Sequence, residues 1–88
     1  MTYSLEVSSH IDKILKKLVK KDRTQYEMIM RKVEEILERP QAYKNLHSPL
    51  QHWKRVHIMK SFVLTFSVDE NKKIVRLEDY EHHDNIYK

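Results

Sequence analysis

The sequence predicts an α+β fold, and three observations predict it. Apolar and polar residues alternate with the period of a strand near the start and again through the last third of the chain. Between those stretches, apolar residues recur with the period of a helix. Polar or proline-bearing breaks separate the runs. The expected order is β-α-α-β-β-β. Each element has one apolar side, so the expected architecture is an antiparallel twisted sheet with the two N-terminal helices packed on one face and the other face left available. Residues 1–88 make a single domain in this reading, because a chain of that length buries only about two-thirds of its unfolded surface.

Tyr3, Leu5 and Val7 alternate with Ser4 and Glu6 and predict a strand over residues 2–8. Ser8 or Ser9 can cap the helix that follows. In it Ile11, Ile14, Leu15, Leu18 and Val19 share one face, while Lys13, Lys16, Lys17 and Lys20 fall on the other. After a break at Lys21-Asp22-Arg23, Thr24-Gln25-Tyr26-Glu27 has the form of a capping box for the second helix. Its apolar stripe is Tyr26, Ile29, Met30, Val33, Ile36 and Leu37. Pro40 ends it, since proline disfavours helix in the residue before it and has no N–H to donate. Gln41 to Gln51, with Pro49, keeps neither period and reads as a loop. Val56 and Ile58 then alternate with Arg55, His57 and Met59, and Phe62, Leu64, Phe66 and Val68 alternate with Val63, Thr65 and Ser67, which predicts two strands. Asp69-Glu70-Asn71-Lys72 is a turn. Ile74, Val75 and Leu77 open a last strand that runs through Asp79-Tyr80 into a histidine-rich end.

The balance of 17 Lys and Arg against 13 Asp and Glu, a net charge of +4, favours nucleic acid or an acidic protein as a partner. The absence of cysteine removes disulfide frameworks, thiolate metal sites and cysteine nucleophiles together. The absence of glycine excludes the phosphate-cradling loops of nucleotide-binding folds, which need a bare backbone beside the pyrophosphate. No apolar run approaches the roughly 20 residues needed to span a bilayer, and the start lacks the pattern of a signal peptide. A cytoplasmic protein without membrane contact is expected.

The end of the chain, His82-His83-Asp84-Asn85-Ile86-Tyr87-Lys88, gathers two imidazoles, a carboxylate, a phenol and an ammonium. Groups that exchange protons near neutral pH, set among cations, suit chemistry on a phosphodiester. If Val56 and Ile58 face the helices, Arg55 and His57 point to the opposite face, where Lys60 and the tail histidines can join them. Such a group could bind a phosphate and supply both a base and an acid. His82, His83 and Asp84 make a poor metal site, because adjacent residues in an extended chain point apart and a third ligand at a recognised spacing is missing. No metal or other cofactor is expected. The bland alternatives are a solvated strand for Arg55 and His57 and a C-terminal anchor for Tyr87. His10, His47 and His52 read as solvated residues, and Trp53, Met28, Met30 and Met59 read as packing groups.

These pieces, in this order, resemble the RelE/ParE superfamily of small toxins from type II toxin–antitoxin modules. The likeness covers the strand at Tyr3-Ser4-Leu5-Glu6-Val7, the helix from Ser8-Ser9 with Lys16-Lys17-Leu18, the second helix ending at Arg39-Pro40, and the strand Lys54-Arg55-Val56-His57-Ile58. Family members often end in His-Arg, two variable residues, an aliphatic residue and Tyr. His82-His83-Asp84-Asn85-Ile86-Tyr87 is similar to that ending, with His83 in the Arg place. Members also often carry a Gly-Asp-Tyr-Arg-like run in the third strand, where this chain has Met59-Lys60-Ser61-Phe62-Val63.

The resemblance implies a RelE-like fold and a metal-independent endoribonuclease that cuts mRNA in the ribosomal A site through attack of the ribose 2′-hydroxyl on the adjacent phosphate. It implies phosphate stabilisation by Arg55 and Lys60, general acid or base action by His83, the complementary proton transfer by His57, and orientation of the nucleotide by Tyr87. His82, Asp84, Lys54 and Lys88 are expected to contact RNA. The implied partners are a cognate acidic, RelB-like antitoxin, the ribosome and mRNA, with no small-molecule cofactor. Two other readings stay open: a ParE-like inhibitor of DNA gyrase, and a catalytically silent relative kept as a binding module.

Overall fold

Strand β1, Ser4–Val7, passes into helix α1, Ser9–Lys21, through Ser8. The Ser8 hydroxyl accepts the Ile11 N–H at 3.3 Å and donates to the Glu78 carbonyl at 3.4 Å, and the Ser8 N–H donates to the Leu77 carbonyl at 3.2 Å. One residue therefore caps the helix and ties its start to the sheet. The computed structural model describes residues 3–45 and 53–82 of the chain.

Helix α2, Arg23–Glu38, begins one residue after α1 ends. Asp22 is the connection. Its N–H donates to the Leu18 carbonyl at 2.8 Å and closes α1, while its Oδ1 accepts the Gln25 N–H at 3.1 Å and opens α2. The cap is thus Asp22, not the Thr24–Glu27 box expected from the sequence, because a carboxylate at the joint serves both helices. Glu27 instead accepts from Arg23 Nε at 3.5 Å, one helical turn away. After α2 the chain makes a 3-10 turn over Pro40–Ala42, with proline at its first position as expected for a residue that cannot continue a helix.

The sheet contains β2, Lys54–Ile58, β3, Phe62–Asp69, and β4, Ile74–His82, in the order β1-β4-β3-β2. The three later strands form the expected antiparallel meander. A meander of three returns β4 to the direction of β2, and β1 adds at the free edge of β4 running the same way, from Ser4 opposite Ile74 to Val7 opposite Leu77. The sheet is therefore mixed, where an antiparallel one was expected.

Between β3 and β4 the register slips: Thr65 faces Asp79, but Phe66 faces Leu77. Glu78 is the extra residue of a β-bulge, so Leu77 and Tyr80, three apart, both face the helices while Glu78 and Asp79 both face away. The core joins Ile11, Ile29, Val33 and Ile36 from the helices to Ile58, Leu64, Phe66, Val75, Leu77 and Tyr80 from the sheet. Among the described residues, no helix is long and apolar enough to cross a membrane.

Tyr80 links the two layers. Its hydroxyl donates to Gln25 Oε1 at 2.5 Å, Gln25 Nε2 donates to Asp22 Oδ2 at 3.0 Å, and its ring stacks on Phe62 with centroids 5.3 Å apart. Burial, with the Asp22 charge adding, pushes the Tyr80 phenol well above its ordinary range, which keeps it a hydrogen-bond donor. At the other end, the Tyr3 hydroxyl donates to Glu70 Oε1 at 2.6 Å and holds that carboxyl below its usual range.

A chain without glycine must make its hairpins from other residues. Met59 and Lys73, in the β2–β3 and β3–β4 connections, take φ of 57° and 56°. That left-handed region costs a residue with a Cβ about 1–2 kcal/mol. Asp69 helps the second turn by accepting the Asn71 and Lys72 N–H groups on Oδ1 at 3.0 and 3.1 Å.

Two stability outcomes are expected in urea titrations. Tyr80→Phe leaves Gln25 Oε1 without its buried donor and lowers the unfolding free energy by about 1–3 kcal/mol with an unchanged denaturant slope. Met59→Gly relieves the left-handed strain and, after the added entropy of the unfolded chain, raises it by up to about 1 kcal/mol.

Candidate functional site

Residues directly opposite each other in a sheet project to the same face. Arg55, Thr65 and Asp79 form one such row across β2, β3 and β4, and His57, Val63 and Glu81 form the next. Both rows face away from the helices, since Leu64, Phe66 and Tyr80 alternate with them into the core. Arg55 and His57 are thus brought together on the face the sequence assigned to them, roughly 7 Å apart along the strand. The outer edge of β2 is partly covered, as the Arg55 N–H donates to the Lys44 carbonyl at 3.1 Å and Asn45 bridges to Lys54.

The face is not open throughout. Val63 and Thr65 project from it yet are 0% and 1% exposed, so the available chemistry lies on the flanks and the expectation of a bare sheet face is corrected. Thr65 also spends its hydroxyl on the Asp79 carbonyl, at 3.3 Å. Val63 lies between His57 and Glu81 and leaves the central strand without a cation there.

The two flanks differ in charge. The β2 flank carries Arg55 and His57. The β4 flank carries Asp79 and Glu81, and His10 from the first turn of α1 brings Nε2 to 3.1 Å from Asp79 Oδ1. Further along, Ser67 Oγ donates to Glu78 Oε2 at 2.6 Å, and Arg76 Nε lies 3.8 Å from carboxylate oxygens of both Glu6 and Glu78. An extended polyanion is therefore attracted to the β2 flank and repelled by the other.

Several expected site residues lie elsewhere. Lys54 is the register partner of Phe66 and so sits on the helix-facing side, where its Nζ donates to the Tyr43 carbonyl at 3.2 Å and Asn45 Oδ1 at 2.8 Å. Lys60 is in the β2–β3 turn beside Met28, Met59 and Phe62, beyond the rows that hold Arg55 and His57. His82 is the register partner of Phe62 and stands T-shaped to that phenyl, with ring centroids 5.6 Å apart, on the face opposite His57. Period two decides this: Tyr80 faces the core, so Glu81 takes the site face and His82 does not. His83, Asp84, Tyr87 and Lys88 fall outside the described residues.

Asp79, Glu81 and His10 are the members of this face that sequence reasoning missed. The Leu77-Glu78-Asp79-Tyr80 spacing held a signal, since two apolar residues three apart in a strand require a bulge that turns out both residues between them. Nothing in the sequence linked His10 to β4.

No family model matches this sequence. A protein of Methanocaldococcus jannaschii named "Putative toxin RelE4" is 55% identical over 86 residues, covering 98% of this chain and 92% of the relative. Among solved structures, the YoeB/ParE toxin from Agrobacterium tumefaciens superposes with a TM-score of 0.82 at 12% identity, covering 91% of this chain and 98% of that one. A chain of the toxin–antitoxin complex RelBE2 from Mycobacterium tuberculosis superposes with a TM-score of 0.79 at 14% identity, covering 94% of this chain and all of that one. The distant structures share the fold of two helices on a four-stranded sheet, and the close relative extends that likeness to sequence along nearly the whole chain. The chain belongs to the RelE family of toxins from toxin–antitoxin modules.

Proposed function

We propose that this toxin is an endoribonuclease that cuts mRNA in the ribosomal A site without a metal ion. The observation that carries the proposal is the pairing of Arg55 with His57, two residues apart on β2, on the sheet face turned away from the core. Family membership supports the reaction class, and the charge difference between the flanks supports a path for the RNA along β2.

The reaction forms a bond from the ribose 2′-oxygen to phosphorus and breaks the bond from phosphorus to the 5′-oxygen, leaving a 2′,3′-cyclic phosphate and a 5′-hydroxyl. A base takes the 2′-proton, an acid gives one to the leaving 5′-oxygen, and cations bear the charge that builds on the phosphate. His57 is assigned one proton transfer and His83 the other. Arg55 holds the phosphate through its planar fork of donors. Lys60, at the hairpin end of β2, is assigned to the flanking backbone, and Tyr87 orients a base by stacking. An acidic antitoxin segment lying along the β2 flank would neutralise Arg55 and block access to His57 at once.

Single-turnover cleavage of ribosome-bound mRNA checks these roles. His57→Ala is expected to slow cleavage by about 10²–10⁴-fold, the range of a lost general acid or base, with an unchanged melting temperature. Arg55→Ala is expected to slow it by about 10²–10³-fold and to lower the salt dependence of RNA binding by roughly one counterion. Full cleavage by both variants would remove β2 from the mechanism. Inhibition of DNA gyrase by a protein that cuts no RNA would favour the ParE-like reading instead.

A further inference from the structure

We propose that His10, Asp79 and Glu81 form a binding site for a first-row divalent cation, with Zn²⁺ as the best chemical match. The three residues come from opposite parts of the chain. His10 stands in the first turn of α1, and Asp79 and Glu81, two apart on β4, project to the same face. One ligand atom from each lies within 4.8 Å of the other two. Zinc bonds to imidazole nitrogen and carboxylate oxygen at about 2.0–2.2 Å, which sets neighbouring ligand atoms roughly 3.0–3.5 Å apart. His10 Nε2 and Asp79 Oδ1 already stand 3.1 Å apart.

Charge and donor chemistry agree with that geometry. Two carboxylates outweigh the partial charge of about +0.5 at the start of α1. The Tyr80 N–H donates to Asp79 Oδ1 at 2.8 Å and orients the carboxylate, as outer hydrogen bonds do at metal centres. One imidazole with two carboxylates selects zinc and its neighbours over Mg²⁺, which demands oxygen ligands and retains its water. A cation here would fasten the first turn of α1 to the end of β4 and cancel charge on the acidic flank. It would stand two strands away from His57, about 10 Å, so the proposed cleavage does not use it and the site stands or falls separately from that reading.

Calorimetric titration of the full chain with Zn²⁺ alone, and with Mg²⁺ as the comparison, tests the site. One Zn²⁺ per chain is expected, with affinity at least tenfold weaker in His10→Ala and in Glu81→Gln and unchanged in a His82→Ala/His83→Ala double variant. Melting in EDTA is expected to be the same for all the variants, which separates lost binding from lost folding. An absence of Zn²⁺ binding, binding that survives His10→Ala and Glu81→Gln, or binding lost only in the tail double variant would overturn the proposal.

Discussion

The hydrogen-bond chain from Asp22 through Gln25 to Tyr80 fixes how the helices sit on the sheet, and the character of the candidate site follows from it. Tyr80 must face inward to reach Gln25, and Leu77 must face inward to fill the core. A strand cannot turn residues three apart to one side without a bulge. The bulge at Glu78 meets both demands and turns Asp79 outward beside it, where His10 meets it. The acidic flank is in this sense a by-product of packing. The exposed ion pairs of the helices, Lys16 with Asp12, Arg23 with Glu27 and Lys32 with Glu35, carry far less weight, since such pairs contribute about 0–1 kcal/mol each.

Most of the fold was legible because its elements obey one period each. Val56 and Ile58 against Arg55 and His57 is the pattern of a strand with one buried side, and the structure keeps both halves of it. The run Ile29, Val33, Ile36 likewise marks the buried stripe of α2. Legibility failed where two elements compete for one residue or where a pairing is distant in sequence. Asp22 serves two helices and displaced the Thr24 box, which local spacing alone favoured. The parallel addition of β1 to β4 depends on the path of the whole chain and leaves no mark in either segment.

The site was half legible for the same reason. Arg55 and His57 follow from local alternation. His82 was grouped with them by chemistry, yet strand geometry turns it toward Phe62 and gives the site face to Glu81. Lys54 looked like a nucleic-acid contact by charge but is engaged with Tyr43 and Asn45, which dock the preceding segment onto β2. The buried Val63 and Thr65 narrow the face to a basic flank and an acidic one. A polarised surface of that kind offers an extended polyanion one favourable path, along β2.

The most direct measurement uses ribosome-bound mRNA carrying one 2′-deoxynucleotide immediately 5′ to a mapped cleavage position, compared with the all-ribose message. Attack by the 2′-hydroxyl predicts that the cut at that phosphate disappears while cuts at other codons persist, and that products from the all-ribose message end in a 2′,3′-cyclic phosphate. Cleavage that continues at the 2′-deoxy position would contradict the mechanism, and an all-ribose message left intact would contradict the assignment of a ribonuclease to this face.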